Sequence, residues 1–470
     1  MTSIRTPAPT GVQDREAAAR LLDEVKKAGV RFINLEFTDV VGIAKCVTIP
    51  AEQLPEVLRR GKWFDGSSIE GFARGAETDM FLCPDLSTYA PVPWRTSHPA
   101  EHDSNAGAVA RIICDVLLPS GEPFPGDPRS VLRRALQRAA KLGFLFDVAT
   151  ELEFFLLRED AAENVLREPS PHDRGGYFDL STHVVADVQR EIMAVLKDMH
   201  VQVESSHHEV AAGQHEIDFA AMDALHGADA IVTARYAVKA VAQQHGMWAT
   251  FLPKPFFSIN GSGMHVHQQL RHHREHANAF ADVADTEYGL SLVARQFVAG
   301  QLAHAQGMCA IVAPLVNSYK RLVKGFEAPV MINWGRVNRE ALIRVPRAAS
   351  GSLAEVRIEL RDPDPSCNPY LAFALMLSAG LDGIERDLPL ASPVEETLTT
   401  LDEHTRVLRG IELLPGTLGD ALAALTADNV MVEALGQQLT DWFVTAKMRE
   451  WEEYRTMVHP WELERYLAIF

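Results

Sequence analysis

The chain has 470 residues, of which 47% are apolar and 23% charged, with a net charge of −18. That length calls for two or more domains, and the acidic balance disfavours nucleic acid and anionic membranes, which are themselves polyanions. No apolar run approaches the roughly 20 residues that span a bilayer. Residues 1–13 form a Pro/Thr-rich lead-in without an apolar stretch, expected to be disordered rather than a secretory signal. The five cysteines are scattered and none sits in a C-x-x-C pair, so the cytosol is the expected compartment.

In chain order, Asp14 to Ala28 predicts a helix with Ala18, Leu21, Leu22 and Val25 on one face and Gly29 as its stop. Arg31–Phe37 and Ile43–Ile49 alternate apolar and polar residues around Asp39–Gly42, the pattern of a hairpin. Phe64–Pro99 lacks periodicity and reads as a long loop with short ordered pieces. Val109–Leu117 is an apolar strand, and the turn-rich Pro119–Gly126 after it is the expected domain boundary, giving units 14–119 and 120–470. Asp127 then caps a helix with Pro128 at its first position and Gly143 beyond its end. Further helices are expected over Thr182–His200, Met222–Gly246, Tyr288–Gln306, Pro369–Glu385 and much of Leu418–Phe470. Strands are expected over Asp147–Leu157, Glu209–Phe219, Gly263–Leu270, Leu342–Val345 and Glu355–Leu360. Strands and helices interleave without a regular βαβ period, which predicts an α+β class.

Several of these strands carry chemistry. Alternation along a strand puts Glu151 and Glu153 on one face, and His265 and His267 on one face after a Gly-rich turn. Ser206–Asp218 adds Glu209, Glu216, His207, His208 and His215, with Gly213 allowing a bend. Arg357, Glu359 and Arg361 share another face. Each motif alone has a plainer reading: solvated Glu residues, a structural His, a cross-strand ion-pair ladder. Together they form a pool of carboxylates with one or two His and no Cys, which suits Mg²⁺ or Mn²⁺ better than a thiolate-rich zinc site. Carboxylate-held metals with several Arg are the parts phosphoryl transfer needs. Neither a P-loop nor a kinase signature set is present.

From about Arg31 to Phe470 the chain resembles type I glutamine synthetase. The resemblance rests on Phe64-Asp-Gly-Ser-Ser-Ile69, Glu151-Leu-Glu-Phe-Phe155, His207-His-Glu-Val with Gly213-Gln-His-Glu216, Asn260-Gly-Ser-Gly-Met-His265, Asn317-Ser-Tyr-Lys-Arg321, Gly325-Phe-Glu-Ala-Pro329, Asn338-Arg339, Arg357-Ile-Glu-Leu-Arg361 and Asn368-Pro-Tyr-Leu371. It implies a small N-terminal β-grasp-like domain and a larger catalytic domain with a curved antiparallel sheet flanked by helices. It also implies roles. Glu153, Glu209 and Glu216 would hold one metal, and Glu151, His265 and Glu359 a second. His267, Arg344 and Arg357 would meet ATP, and Arg339 the transferring phosphoryl group. Asn260, Gly261, Arg321 and Arg361 would bind glutamate. Asp65, lent by a neighbouring subunit, would bind and help deprotonate ammonium in a pocket completed by Ser68, Tyr177 and Glu327, with Glu327 on a closing flap.

The implied activity is ATP-dependent ligation of ammonia to glutamate through γ-glutamyl phosphate, in a dodecamer with sites between subunits. The chain departs from the family's pattern at Lys324 (usually Pro), Phe326 (often Tyr) and Thr150-Glu-Leu-Glu, and a short insertion falls around Ser350–Ala354. Glu385–Pro393 has no Tyr, so control by adenylylation is not expected; Arg74 matches an Arg that one subgroup uses for feedback by glutamine. The alternative is a relative that ligates glutamate to an organic amine such as a polyamine or ethanolamine. Retention of Asp65, Ser68, Tyr177 and Glu327 favours ammonia. A catalytically dead member should have lost metal ligands, and all six are present.

Overall fold

The structure, a computed structural model, describes residues 14–67, 69, 79–94, 108–160, 165–169, 173–180, 184–348, 352–396 and 402–470. The N-terminal lead-in, Ser68, Arg74 and part of the 350–354 insertion lie outside them. Asp14 caps the first helix, Arg15–Lys27, by accepting from the Glu16 and Ala17 amides. The expected hairpin is β1 (Val30–Thr38) against β2 (Ala44–Pro50), antiparallel, with Gly42 in the left-handed region at the turn. The long loop expected over Phe64–Pro99 contains more order than its composition suggested: β3 (Lys62–Asp65) runs into it, and β4 (Asp79–Pro84) and β5 (Ala90–Pro91) lie within it. With β6 (Ala108–Leu117) these make a sheet in the order β2-β1-β6-β4-β3, with β5 on β6, and β1 and β6 run parallel. Its core packs Ile33, Leu35, Leu82, Ile112 and Val116 against Leu54 and Leu58 of the helix Leu54–Arg60.

Asp127 and Pro128 open the helix Pro128–Lys141 as expected. The larger sheet is organised on one strand, β7 (Phe144–Asp160), 17 residues long. Around it lie β8 (Val165–Pro169), β9 (Val203–His208), β10 (Gln214–Phe219), β11 (Met222–Asp223), β12 (Met247–Thr250), β13 (Met264–His272), β14 (Trp334–Gly335), β15 (Ile343–Arg344) and β16 (Ile358–Leu360). The spine of the sheet is β14-β15-β16-β13-β7-β10-β9, antiparallel except for the two-residue pair β14–β15. The segment expected as one strand over Glu209–Phe219 is a hairpin instead: the chain turns through Gly213, whose φ of 73° a side chain would strain, and β10 returns on β9. The helix expected over Tyr288–Gln306 starts later, because Ser291 caps Leu292–Ala303, and it breaks at His304 before Ala305–Val312. Helices Ala224–Gln244 and Pro369–Glu385 bury their apolar residues against this sheet and each other, in the largest core.

The two sheets are joined through charge. Arg129, 3% exposed, bonds Asp85 at 2.8 Å, Asp115 at 2.6 Å and Asp229 at 2.9 Å, and the Tyr370 hydroxyl donates to Asp229 at 2.6 Å. Burial raises the Asp85 pKa, but Arg129, the Ser87 bonds and Arg133 outweigh it and hold the carboxyl down at about 2. Asn368 donates to the Asp39 and Val40 carbonyls at 3.0 and 3.3 Å, and a Cβ on Gly42 would meet Asn368 at 3.0 Å. The hairpin tip is therefore seated on the start of the Pro369–Glu385 helix.

Candidate active site

Register builds the site. On one face of the large sheet, Glu359 stands opposite His267, His265 opposite Glu151, Glu151 opposite Asp218, and Glu153 opposite Glu216, which in turn faces His207. Side chains directly opposite across a ladder lie close together, so strands far apart in sequence deliver their polar groups to one surface. A cavity of about 520 Å³ opens there. Of the residues given roles above, Glu151, Glu153, Tyr177, Glu209, Glu216, Asn260, Gly261, His265, Arg321, Glu327, Arg339, Arg344, Glu359 and Arg361 line it.

The carboxylates divide into two environments. Glu151 accepts from His265 Nδ1 at 3.0 Å and His267 Nε2 at 2.7 Å. Burial raises its pKa, but these two bonds outweigh burial and hold it far below the usual range. Glu359 pairs with Arg344 at 2.5 Å and Arg361 at 2.7 Å, and Arg361 overcomes the effect of burial to keep it ionised. Glu153, Glu209 and Glu216 face one another with little positive charge among them. Burial and then the Glu209 charge push Glu153 up to about 8; burial and then Glu153 push Glu216 up to about 12; burial raises Glu209. Packed carboxyls of this kind either stay protonated or take a cation. The ligand types fit a hard divalent ion: Glu209 and Glu216 cluster with His207, and Glu151 and Glu359 with His267, each set with its ligand atoms within 4.8 Å. His265 also reaches Glu151 and, at 3.7 Å, Glu359.

Backbone geometry seats the cationic side. A Cβ on Gly261 would lie 2.3 Å from the Pro253 carbonyl, and one on Gly263 would lie 2.5 Å from the Arg321 guanidinium. Arg321 is buried beneath this turn and donates to the Arg361, Asp362 and Pro363 carbonyls. Glycine is required here for close approach. Glu327 sits at φ 57° and Gly325 at φ 91°, a kinked segment that lays the Phe326 ring 3.7 Å from Lys254 Nζ.

Three expected residues do not line the cavity. His267 is turned to Glu151, and Arg357 contacts it through His267 Nδ1 at 3.3 Å. Asp65 is exposed at the end of β3, its pKa lowered by the Ser67 amide bond. Other residues went unassigned in the sequence. His207 bonds Glu216 at 3.1 Å, a placement readable from its register opposite Glu216. Gln214 donates to Glu153 at 2.8 Å and to the Gly261 carbonyl at 2.9 Å. Buried Asp173 accepts from His208 Nε2 at 3.0 Å and His215 Nε2 at 2.9 Å, and had no periodic signal to find it.

The sequence profile described as glutamine synthetase, catalytic domain, matches residues 125–466, and that of the glutamine synthetase beta-Grasp domain matches residues 29–119. The chain belongs to the glutamine synthetase family. Glutamine synthetases of Halobacterium salinarum and Methanosarcina mazei are each 48% identical to it, over 98% and 96% of this chain and 98% and 97% of theirs. The Thermus thermophilus glutamine synthetase is 47% identical over 96% of this chain and 99% of its own length. Among solved structures, a GmaS/ADP complex matches with a TM-score of 0.84 at 33% identity, covering 95% of this chain and 99% of that one. Apo GmaS without ligand gives 0.82 at 32%. The expected fold, a β-grasp domain and a curled sheet flanked by helices, is borne out. Glutamine synthetases use ATP and divalent metals, which suits the acidic face described above. No helix of the described residues is long and apolar enough to cross a membrane.

Proposed function

We propose that this cavity carries out glutamine synthesis with Glu153, Glu209 and Glu216 holding one Mg²⁺ or Mn²⁺, and Glu151, His265 and Glu359 a second. The chain is an enzyme, a glutamate–ammonia ligase that makes glutamine, ADP and phosphate from glutamate, ammonia and ATP. The observation that carries the residue-level reading is the convergence of the five metal-ligand carboxyls and four guanidinium groups, Arg321, Arg339, Arg344 and Arg361, on one cavity. Bound metals would clamp phosphate oxygens and offset charge during transfer.

The protein's own groups then have these tasks. Asn260, Gly261, Arg321 and Arg361 hold glutamate with its γ-carboxylate toward the phosphates. His267, Arg344 and Arg357 sit on the ATP side. Arg339 neutralises the moving phosphoryl group. A carboxylate is a poor electrophile, and phosphorylation gives γ-glutamyl phosphate, whose phosphate leaves readily. Ammonia must reach it before water does, which gives Glu327 and its kinked segment a closing role. Asp65 attracts ammonium and takes its proton, in a pocket with Ser68, Tyr177 and Glu327.

We assign Asp65 to a neighbouring subunit's site, as the resemblance implies; its exposure and its absence from its own chain's cavity lining are in keeping with that. Residues 14–119 are then the unit that lends the acid and 120–470 the unit that holds the metals. A homo-oligomer, the dodecamer of the resemblance, is supported by the exposed Trp461, Leu467, Ile469 and Phe470 at the C-terminus, an apolar surface of the kind that marks contacts. The cytoplasm is the proposed compartment.

The test is an acceptor panel of ammonium, ethylamine, ethanolamine and putrescine with glutamate, ATP and Mg²⁺ or Mn²⁺. Ammonium is expected to be preferred, and Asp65→Ala to lose ammonium use while keeping ATP binding. Preference for an organic amine would overturn the acceptor assignment; unchanged ammonium kinetics in the variant would remove Asp65 from its role.

A further inference from the structure

Asp173 lies four residues before Tyr177 and five before Phe178, the aromatic pair that lines one side of the cavity. It is 2% exposed, and each of its carboxylate oxygens takes one imidazole: Oδ1 that of His208, at the end of β9, and Oδ2 that of His215, in β10. Those two histidines immediately precede Glu209 and Glu216 in the sequence. The outer ring nitrogens are also fixed. His208 Nδ1 donates to the Glu209 carbonyl at 2.6 Å, and His215 Nδ1 meets the Gln189 amide nitrogen at 2.8 Å.

The same stretch touches the hairpin twice more. The Phe178 amide donates to the His208 carbonyl at 3.1 Å, with Phe178 held at φ 62°, a conformation a bulky residue keeps only when its surroundings impose it. The rings of Phe178 and Tyr177 meet His207 edge-on at 4.6 and 5.4 Å between centroids, and His207 bonds Glu216. One buried carboxylate therefore sits at the root of both structures that border this end of the cavity: the aromatic wall and the Glu209/Glu216 hairpin.

We propose that Asp173 is a positioning residue, a clasp that sets Tyr177 and Phe178 at a fixed distance from Glu209 and Glu216. The proposal rests on the metal and ammonium reading above for what those residues do. The clasp acts through hydrogen-bond geometry rather than net charge. An Asn at this position can keep both bonds: its Oδ1 accepts from His215 Nε2–H, and its Nδ2–H donates to Nε2 of a neutral His208. Ala keeps neither, and Ser can keep one.

The experiment compares wild type with Asp173→Asn, Asp173→Ser and Asp173→Ala, measuring Mn²⁺ binding to the nucleotide-free oligomer by calorimetry and KM for ammonium and for glutamate. Loss of groups that orient metal ligands typically weakens affinity about 10–100-fold. Ala is expected to weaken Mn²⁺ binding by about tenfold or more and to raise the ammonium KM more than the glutamate KM. Ser should fall between, and Asn should lie within about twofold of wild type. Should Ala fail to fold, the Ser and Asn pair decides. Wild-type values in Ser, or Asn as impaired as Ser, would overturn the clasp. If wild type itself bound no Mn²⁺, or Glu216→Gln bound it unchanged, the metal reading would fail instead, a distinct result.

Discussion

Glu153 and Glu216 face each other directly across the β7–β10 ladder, and burial with the charge of neighbouring carboxylates raises both pKa values despite Arg321 beside Glu153. Like charges opposite one another in a sheet are destabilising, and here burial removes the water that would screen them. A divalent cation is the group that reverses the sign of this contact. Adding Mg²⁺ or Mn²⁺ is therefore expected to stabilise the fold, by about 2.7 kcal/mol at a hundredfold excess over Kd. Differential scanning calorimetry should show the melting temperature rising with metal in wild type and rising much less in Glu216→Gln. An equal rise in both would take Glu216 out of the metal site.

The Lys254–Phe326 contact ties the glutamate-side loop to the segment carrying Glu327. Cation–π contacts contribute about 0.5–2 kcal/mol. Lys254→Met and Phe326→Leu should loosen that segment and let water compete, so phosphate released per glutamine formed should increase by about twofold to tenfold. Phe326→Tyr, which keeps the aromatic face, should stay coupled. Stoichiometry that is unchanged in both loosening variants would exclude the contact from closure.

Arg129 compensates three carboxylates at once. Replacing it with Met leaves Asp229 without its cation and leaves Asp85 and Asp115 to the more exposed Arg133, and breaking a buried pair from one side costs about 3–5 kcal/mol. Urea denaturation should show a loss of at least that size; a loss under about 1 kcal/mol, the scale of an exposed pair, would mean the cluster is not a junction.

His304 bridges Asp428 at 2.7 Å and Asp382 at 2.9 Å, and Arg386 also pairs with Asp382. Burial lowers the His304 pKa, but its bonds to Asp428 and Asp382 outweigh burial and raise it above the ordinary value. A raised histidine pKa stabilises the fold fully below the unfolded value, about 6.5, and the contribution is lost as pH rises through the higher folded value. The melting-temperature gap between wild type and His304→Gln should thus be widest below about pH 6 and narrow on the alkaline side. A gap that widens with pH would contradict an imidazolium at this site.

Much of this site could be read from alternation alone. Glu151 with Glu153 and His265 with His267 share faces because side chains alternate in a strand; Glu151, Glu153 and His265 line the cavity, and His267 stands behind them on Glu151. What alternation cannot supply is which strand lies beside which. The opposition of Glu153 to Glu216 depends on β7 accepting β10, and that of His267 to Glu359 on β13 accepting β16, choices made by the whole apolar core. Asp173 was invisible for a related reason: it lies in a Gly-rich stretch without period, and its importance comes from two histidines more than 30 residues away. The helix break at His304 was missed because the apolar pattern continues across it while the side chain is pulled to two distant carboxylates.

The Arg129 junction has a consequence for inheritance of damage in the proposed ring. Each chain there would hold its own metals but lend its acid to the next chain. A loosened junction would then misplace Asp65 in a site that belongs to another polypeptide, leaving the faulty chain's own cavity served by a healthy donor. In an oligomer assembled from mixed chains, Arg129→Met would behave as a lesion in trans and Glu216→Gln as a lesion in cis, so the two would complement each other only where the Arg129→Met chain receives its acid from a Glu216→Gln neighbour.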